Sequence, residues 1–180
     1  MAYESVYFKR KLKQEIKYVQ KQIQQKISLI SDARYETLVH SLDIKIFIIA
    51  CICRKLIDDH KVSSKYKEIK ISCLKYENLD GISRPKWMYD FRHFDMENLL
   101  MENIPFRELL NRLIHNAFLE YRINRNRISS FFVSSDFSAR DSIYEIGLKK
   151  FLMTAVSLSE NYPHAMKAEK SKDKWKISCE

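Results

Sequence analysis

The chain has 180 residues, of which 46% are hydrophobic and 31% charged, and this composition excludes wholesale disorder. The length fits one domain with a substantial core. Two glycines and three prolines exclude an immunoglobulin-like sandwich and a dinucleotide-binding fold with its glycine-rich loop. The formal net charge of +9 favours a polyanionic partner, which is RNA, DNA or an acidic protein.

The cysteines and the apolar runs indicate the compartment. Four cysteines form no C-x-x-C pair and have no histidine cluster beside them, so the sequence predicts no metal site, no cofactor and a reduced, cytoplasmic chain. The basic N-terminus lacks the apolar region of a signal peptide. Residues 46–53 form the most apolar run, far below the roughly 20 residues that a membrane span needs. No membrane association is therefore expected.

The first 60 residues predict two helices. Over residues 3–30, apolar side chains recur every three or four positions, at Leu12, Ile16, Val19, Ile23, Ile27 and Ile30. This basic amphipathic helix is expected to pack on a bundle or on a partner subunit, or else to form an arm for a membrane surface or a nucleic acid. Ser31 and Asp32 signal the start of a second helix that runs to about Asp59. Its middle is apolar nearly all round, which is typical of a central buried helix.

The next region, residues 61–104, is less regular. Residues 68–74 alternate with period two and predict a strand. Residues 87–94 are rich in aromatic side chains, which either cap the core or offer a surface on which bases stack. Residues 96–101 are expected to form a short helical turn.

Residues 105–121 predict the helix around which the fold is organised. Pro105 suits a first helical turn, and an apolar stripe follows at Phe106, Leu109, Leu110, Leu113, Ile114, Ala117 and Phe118. Asn111 and His115 share a polar face, with Arg107 a turn below and Arg112 to one side. An amide, an imidazole and guanidinium groups suit chemistry on a phosphate-containing substrate. The same residues also fit a helix surface with its ordinary hydrogen bonds.

The remainder completes the predicted fold. Arg122, Arg125 and Arg127 form a basic cluster expected to contact a nucleic-acid backbone. Residues 128–134 predict a strand that pairs with residues 142–146, and residues 147–159 predict a last helix. The predicted class is α+β, mainly α, as a helical bundle of about four main helices with a small β-hairpin insertion. Residues 1–160 form this domain, and residues 161–180 form a basic, mobile C-terminal tail.

The order of these elements and the motif Asn111-Arg-Leu-Ile-His115 resemble the HEPN-like family of bacterial helical-bundle proteins, over roughly residues 35–158. The resemblance implies a bundle that often dimerises, with the polar edges of the third helices facing each other. In active members it implies metal-independent RNA cleavage by an arginine and a histidine separated by four to six residues. The positions where that arginine should precede His115 hold Leu110, Leu109 and Glu108. The spacing occurs instead at Arg34–His40 and Arg54–His60.

Two functional hypotheses follow. In the first, an RNA-directed HEPN-like protein is a metal-independent endoribonuclease in which His115 moves a proton and Arg107 or Arg112 holds the phosphate. Asn111 then orients the substrate or fixes the tautomer of the histidine. In the second, a non-catalytic module of the same fold binds nucleic acid or protein. Either form is expected to be a homodimer. A small-molecule enzyme is a third, weaker reading, since no nucleophile elbow or P-loop is present.

Overall fold

A five-stranded antiparallel sheet, and not a helical bundle, is the centre of the protein in the computed structural model. The structure describes residues 2–82, 84–85, 88–163, 166–171 and 174–179. Its helices are α1 (Ala2–Ile23), α2 (Asp32–Asp58), α3 (Lys65–Glu68), α4 (Phe106–Ile114) and α5 (Leu148–Glu160). Its strands are β1 (Lys70–Glu77), β2 (Leu100–Pro105), β3 (Asn116–Asn124), β4 (Arg127–Ser135), β5 (Ser142–Gly147), β6 (Met166–Ser171) and β7 (Lys174–Cys179).

The predicted four-helix bundle with a small hairpin is therefore wrong. The sheet has the order β2-β1-β5-β4-β3, and every neighbouring pair is antiparallel. The sequence analysis placed strands at β1, β4 and β5, but assigned β3 to a helix and missed β2. The two missed strands lie at the edges of the sheet, and each pairs with one neighbour only.

The long helices lie on one face of this sheet: α4 and α5 pack directly on its strands, and α1 and α2 pack against these two helices. Leu12, Ile16 and Val19 on α1 are buried in the same core cluster as Leu42 and Ile46 of α2. Helix α1 ends at Ile23 rather than near residue 30, and a 3-10 turn follows at Ile27–Leu29. The Ile27 amide donates to the carbonyl of Asn126 at 3.0 Å, so this segment bonds to the β3–β4 turn instead of continuing the helix.

Side chains on the sheet alternate between two cores, as the pleat of a strand requires. Phe131 and Tyr144 face the helices, whereas Phe132 and Ile143 face away from them. Residues near 89–94 cover the second face, because Phe94 packs on Phe118 with ring centroids 5.8 Å apart and Tyr89 stacks on Phe94. These described aromatic side chains cap the core, and Trp87 of the same predicted cluster lies outside the described residues.

The helix predicted over residues 105–121 is wrong in its second half. Helix α4 ends at Ile114, and β3 begins at Asn116. Residues 117–123 contain Phe, Tyr and Ile side chains, which fit a pleated surface well, and pairing with β4 satisfies their backbone groups. The helical turn expected at residues 96–101 is wrong as well, because β2 begins at Leu100.

The segment assigned to a C-terminal tail contains the antiparallel hairpin β6–β7. Cys179 at its end is buried, and its carbonyl accepts a hydrogen bond from the Ser64 amide at 2.8 Å. The Cys179 amide in turn donates to Ser64 Oγ at 2.9 Å. These bonds attach the end of the hairpin to the segment between α2 and α3. No helix in the described part of the chain is both long enough and apolar enough to cross a membrane.

Candidate functional site

An open cleft of about 410 Å³ lies where α4 ends, between α2 and the β4–β5 connection. It is lined by Arg54, Glu108, Asn111, Arg112, His115, Ser135, Phe137 and Ser138. Three of the four residues proposed from the sequence as catalytic, Asn111, Arg112 and His115, therefore line one cavity. A larger hollow of about 600 Å³ between α1 and α2 is also basic, but its lining includes no histidine or carboxylate among the described residues.

The early end of α4 places His115 at this cleft. The His115 backbone leaves the helical region with φ −114° and ψ 39°, while its amide still donates to the Asn111 carbonyl at 3.0 Å. The His115 carbonyl accepts a hydrogen bond from the Asp136 amide at 3.2 Å. This bond joins the end of α4 to the β4–β5 connection, and the exposed imidazole of His115 lies at the mouth of the cleft.

The Arg112 guanidinium is fixed in the wall of the cleft. Its side chain is only 11% exposed, and Nη2 donates to Glu108 Oε1 at 2.6 Å. Nη1 donates to Ser138 Oγ, and the guanidinium carbon lies 4.3 Å from the centroid of the Tyr144 ring. A planar cation held on three sides keeps a single orientation toward the cavity.

A group of serine hydroxyls supports that arginine. Ser138 Oγ accepts from the Ser135 amide at 3.2 Å and lies 2.8 Å from Ser135 Oγ and 3.0 Å from Ser134 Oγ. Ser134 Oγ donates to the Ser142 carbonyl at 2.7 Å. These hydroxyl groups bond to one another and to the backbone, so they position Arg112 and do not form a nucleophile–base pair.

Buried polar atoms without a hydrogen-bond partner occur mainly beside this cleft in the described part of the protein. Buried side-chain atoms without a hydrogen-bond partner among the described residues are Asn111 Oδ1, Arg112 Nε and Glu102 Oε2. Two of these three belong to residues that line the cleft. An unmet buried hydrogen bond costs about 1–3 kcal/mol, so such atoms are uncommon in folded proteins. Both atoms are nearly inaccessible to solvent, so a ligand meets them only if the Asn111 and Arg112 side chains rotate toward the cavity.

The other arginines proposed from the sequence lie elsewhere. Arg107 does not line the cleft, because its Nε pairs with Asp58 Oδ1 at 2.9 Å. Although burial opposes it, the Arg107 and Arg54 guanidinium groups hold the pKa of the Asp58 carboxyl below its usual value. Arg122 lies on the face of the sheet opposite α4, with Nε 3.1 Å from Glu145 Oε1.

Arg125 and Arg127 lie at the β3–β4 turn, and both are exposed. Arg125 and Asn126 have φ values of 48° and 64°, the left-handed pair that a tight two-residue hairpin turn requires. Strand β3 spans nine residues, at about 3.4 Å each, so this turn is roughly 30 Å from His115. The structure does not bring the basic cluster to the cleft.

Sequence reasoning missed five residues of the cleft lining: Arg54, Glu108, Ser135, Phe137 and Ser138. Arg54 belongs to a spacing typical of the resembled family, Arg54–His60, but His60 Nδ1 lies 3.1 Å from Lys67 Nζ and is not a lining residue of the cleft. No local pattern brings α2 and the β4–β5 connection to the end of α4. Only the folded sheet does so.

In the described ranges, no group of three or more His, Cys, Asp or Glu side chains is arranged to hold a metal ion. Comparison with family models, with curated proteins and with solved structures finds no match to this chain. The resemblance to HEPN-like proteins therefore gains no support, and the helical bundle that it implied is absent.

Proposed function

We propose that the protein is RNA-directed, that its cleft holds a phosphodiester group, and that His115 transfers a proton when the RNA is cleaved. The observation that carries this proposal is the convergence of His115, Asn111 and Arg112 on one open cavity to which α2 adds Arg54. An imidazole beside guanidinium groups is the set of groups that metal-independent cleavage of a phosphodiester needs.

The chemistry assigns each group a role. The ribose 2′-oxygen attacks the adjoining phosphorus, loses its proton, and expels the 5′-oxygen, which gains one. Histidine changes protonation near neutral pH, and His115 at the mouth can accept or donate such a proton. The Arg112 guanidinium, which lines the cavity, opposes the negative charge that grows on the phosphate oxygens.

Asn111 and Arg54 complete the contacts. Asn111, whose Oδ1 is buried beside the cavity, accepts a hydrogen bond from a ribose hydroxyl or a base amine once its side chain turns toward the ligand. Arg54, which pairs with Asp58 at 3.3 Å, adds a second cation at the α2 side of the cavity. Arg125 and Arg127, roughly 30 Å away, would contact the backbone of an RNA several nucleotides longer than the cleft holds.

One observation favours a second candidate, a binding module without catalysis. Glu108 pairs with Arg112 at 2.6 Å and Asp58 pairs with Arg54 at 3.3 Å, so each arginine of the lining already has a carboxylate partner. A cation already paired by the protein gives a developing charge less stabilisation than an unpaired one would. Such a cleft suits recognition of a phosphate as well as its cleavage.

The decisive experiment compares His115→Ala with wild type on a panel of end-labelled single-stranded RNAs. His115→Ala should lose cleavage by about 100-fold or more, the usual contribution of a general acid or base, while binding is retained. His40→Ala, which removes an exposed histidine of α2 outside the cleft, is the matched control and should cleave normally.

The outcomes separate the candidates. Unchanged cleavage by His115→Ala overturns the catalytic role. If the wild type releases no product and Arg112→Ala binds RNA at least tenfold more weakly than the wild type, the binding module is supported instead. A wild type with no measurable affinity for RNA overturns both.

A further inference from the structure

Phe137, at the rim of the cleft, is the most exposed large apolar side chain in the described part of the protein, with 86% of its surface accessible. Single exposed apolar side chains are common on protein surfaces and by themselves indicate nothing. Phe137 differs because it lines the same cavity as His115 and Arg112.

The backbone around Phe137 is held in place. The Asp136 amide before it bonds to the His115 carbonyl, and the Ser138 hydroxyl after it bonds to Arg112. The Ala139 amide donates to the Ser135 carbonyl at 2.9 Å, and the Ala139 side chain is fully buried. Asn78 Nδ2 donates to the Ala139 carbonyl at 3.0 Å and anchors the loop from the far side of the sheet.

The aromatic ring thus projects into solvent from a fixed loop. The residues on either side of it, Asp136 and Ser138, contact His115 and Arg112. The backbone ties the loop that carries the ring to both groups. An exposed ring beside phosphate-binding groups is the arrangement by which proteins bind unpaired nucleotides, because every base has a flat face that stacks on an aromatic side chain.

We infer that Phe137 is a stacking platform for a nucleobase and that the cleft accepts single-stranded RNA, not duplex. This inference rests on the proposed function and adds the substrate class. In a duplex each base is stacked between its neighbours, so its face cannot reach the ring. The nucleotide whose phosphate lies by Arg112, or the one next to it, is the one that stacks.

The experiment measures the affinity of a fluorescein-labelled RNA of twelve nucleotides, single-stranded or annealed to its complement, by anisotropy. Wild type should prefer the single strand, and Phe137→Ala should weaken single-strand binding by about 10- to 100-fold, the range for one stacked base. Phe137→Trp should retain binding, because it keeps an aromatic face. Phe137→Leu should behave like Phe137→Ala, because it keeps only the apolar character.

Two further arms make the test specific. Met153→Ala removes another exposed apolar side chain, on α5 and outside the cleft, and should leave binding unchanged. A single-stranded probe with 2-aminopurine at successive positions should lose fluorescence on binding at one position in wild type, and not in Phe137→Ala, if a base stacks there.

The result that overturns this inference is equal affinity of Phe137→Ala and wild type for the single strand, with Arg112→Ala still defective. The cleft would then bind RNA without stacking, and Phe137 would be free to serve a protein partner. If Arg112→Ala and Phe137→Ala both bind like wild type, the proposed function fails and the inference with it.

Discussion

Two polar clusters lie on opposite faces of strand β5, and two neighbouring residues of this strand, Tyr144 and Glu145, belong to one cluster each. Tyr144 faces the helices and lies under the Arg112 guanidinium, whereas Glu145 points to the other face. Glu145 is 8% exposed and accepts hydrogen bonds from Tyr76 Oη at 2.7 Å and Ser130 Oγ at 2.6 Å. We refer to this second group, with Arg122 at its edge, as the Glu145 cluster.

The comparison separates a structural arrangement from a functional one. In the Glu145 cluster, the two hydroxyl groups and Arg122 satisfy the carboxylate, and no cluster member appears among the buried atoms that lack a partner. In the cleft, Asn111 and Arg112 each retain an atom without a partner among the described residues. Buried polar groups that are satisfied stabilise a fold, and those left unsatisfied need another explanation, of which a bound ligand is one.

The largest expected effect comes from breaking the Glu145 cluster. Glu145→Ala leaves the Tyr76 and Ser130 hydroxyls buried without an acceptor, which should lower the free energy of unfolding by about 3 kcal/mol. In the cleft, Glu108→Ala removes the carboxylate that pairs with Arg112. Because Glu108 is 43% exposed, its loss should cost less than about 1 kcal/mol. Urea denaturation of both variants checks this, and equal destabilisation would remove the distinction between the clusters.

The pH dependence of stability gives the next effect. Burial, and then the hydrogen bond to Glu145, raise the pKa of Tyr76 to about 12. The folded state therefore holds this proton more tightly than the unfolded chain, so the contribution is complete below about pH 10 and is lost as the pH rises from 10 to 12. The loss should be on the order of 2 kcal/mol.

Tyr76→Phe isolates this contribution, because other buried tyrosines such as Tyr121, whose pKa is also raised by burial, are common to both proteins. Denaturation measured at pH 9 and pH 11.5 should show a steeper decline in wild type than in Tyr76→Phe. Parallel declines would mean that the Tyr76 hydroxyl does not titrate differently in the folded and unfolded states.

In the cleft, removal of a buried polar group should stabilise the protein instead of destabilising it. Asn111→Leu removes an unsatisfied buried oxygen and introduces a better helix former, so it should raise the free energy of unfolding by about 1 kcal/mol. The same change should weaken RNA binding, because the ligand loses its acceptor. Asn111→Ala should also weaken binding but stabilise less. A destabilised Asn111→Leu would show that Oδ1 already has a partner in the free protein.

The smallest effect concerns the basic hairpin. Replacing Arg125 and Arg127 by Gln should flatten the log–log dependence of RNA affinity on salt by about 1.4, or about 0.7 for each lost phosphate contact on a single strand. Arg122→Gln should change the slope little, because Glu145 already neutralises that arginine. Anisotropy titrations between 50 and 200 mM salt measure the slopes, and an unchanged slope in the double variant would exclude the hairpin from the interface.

The sequence by itself determined the elements whose signal is local. The stripe of α1, the apolar α2, the strands β4 and β5 and the last helix follow from periodicities of three to four or of two, because each pattern reports which side of an isolated element meets a core. The polar edge of α4 is equally local, and this is why Asn111, Arg112 and His115 were found together.

Only the tertiary structure decided the sheet and the rest of the cleft. Residues 116–121 have apolar spacing that also suits a helix, and they became β3 because they pair with β4 across the tight turn at Arg125 and Asn126. Arg54, Phe137 and Ser138 could not be predicted from any local pattern, because they approach His115 from α2 and the β4–β5 connection. Contacts between residues distant in sequence leave no periodic pattern, and the chemistry of this cleft depends on them.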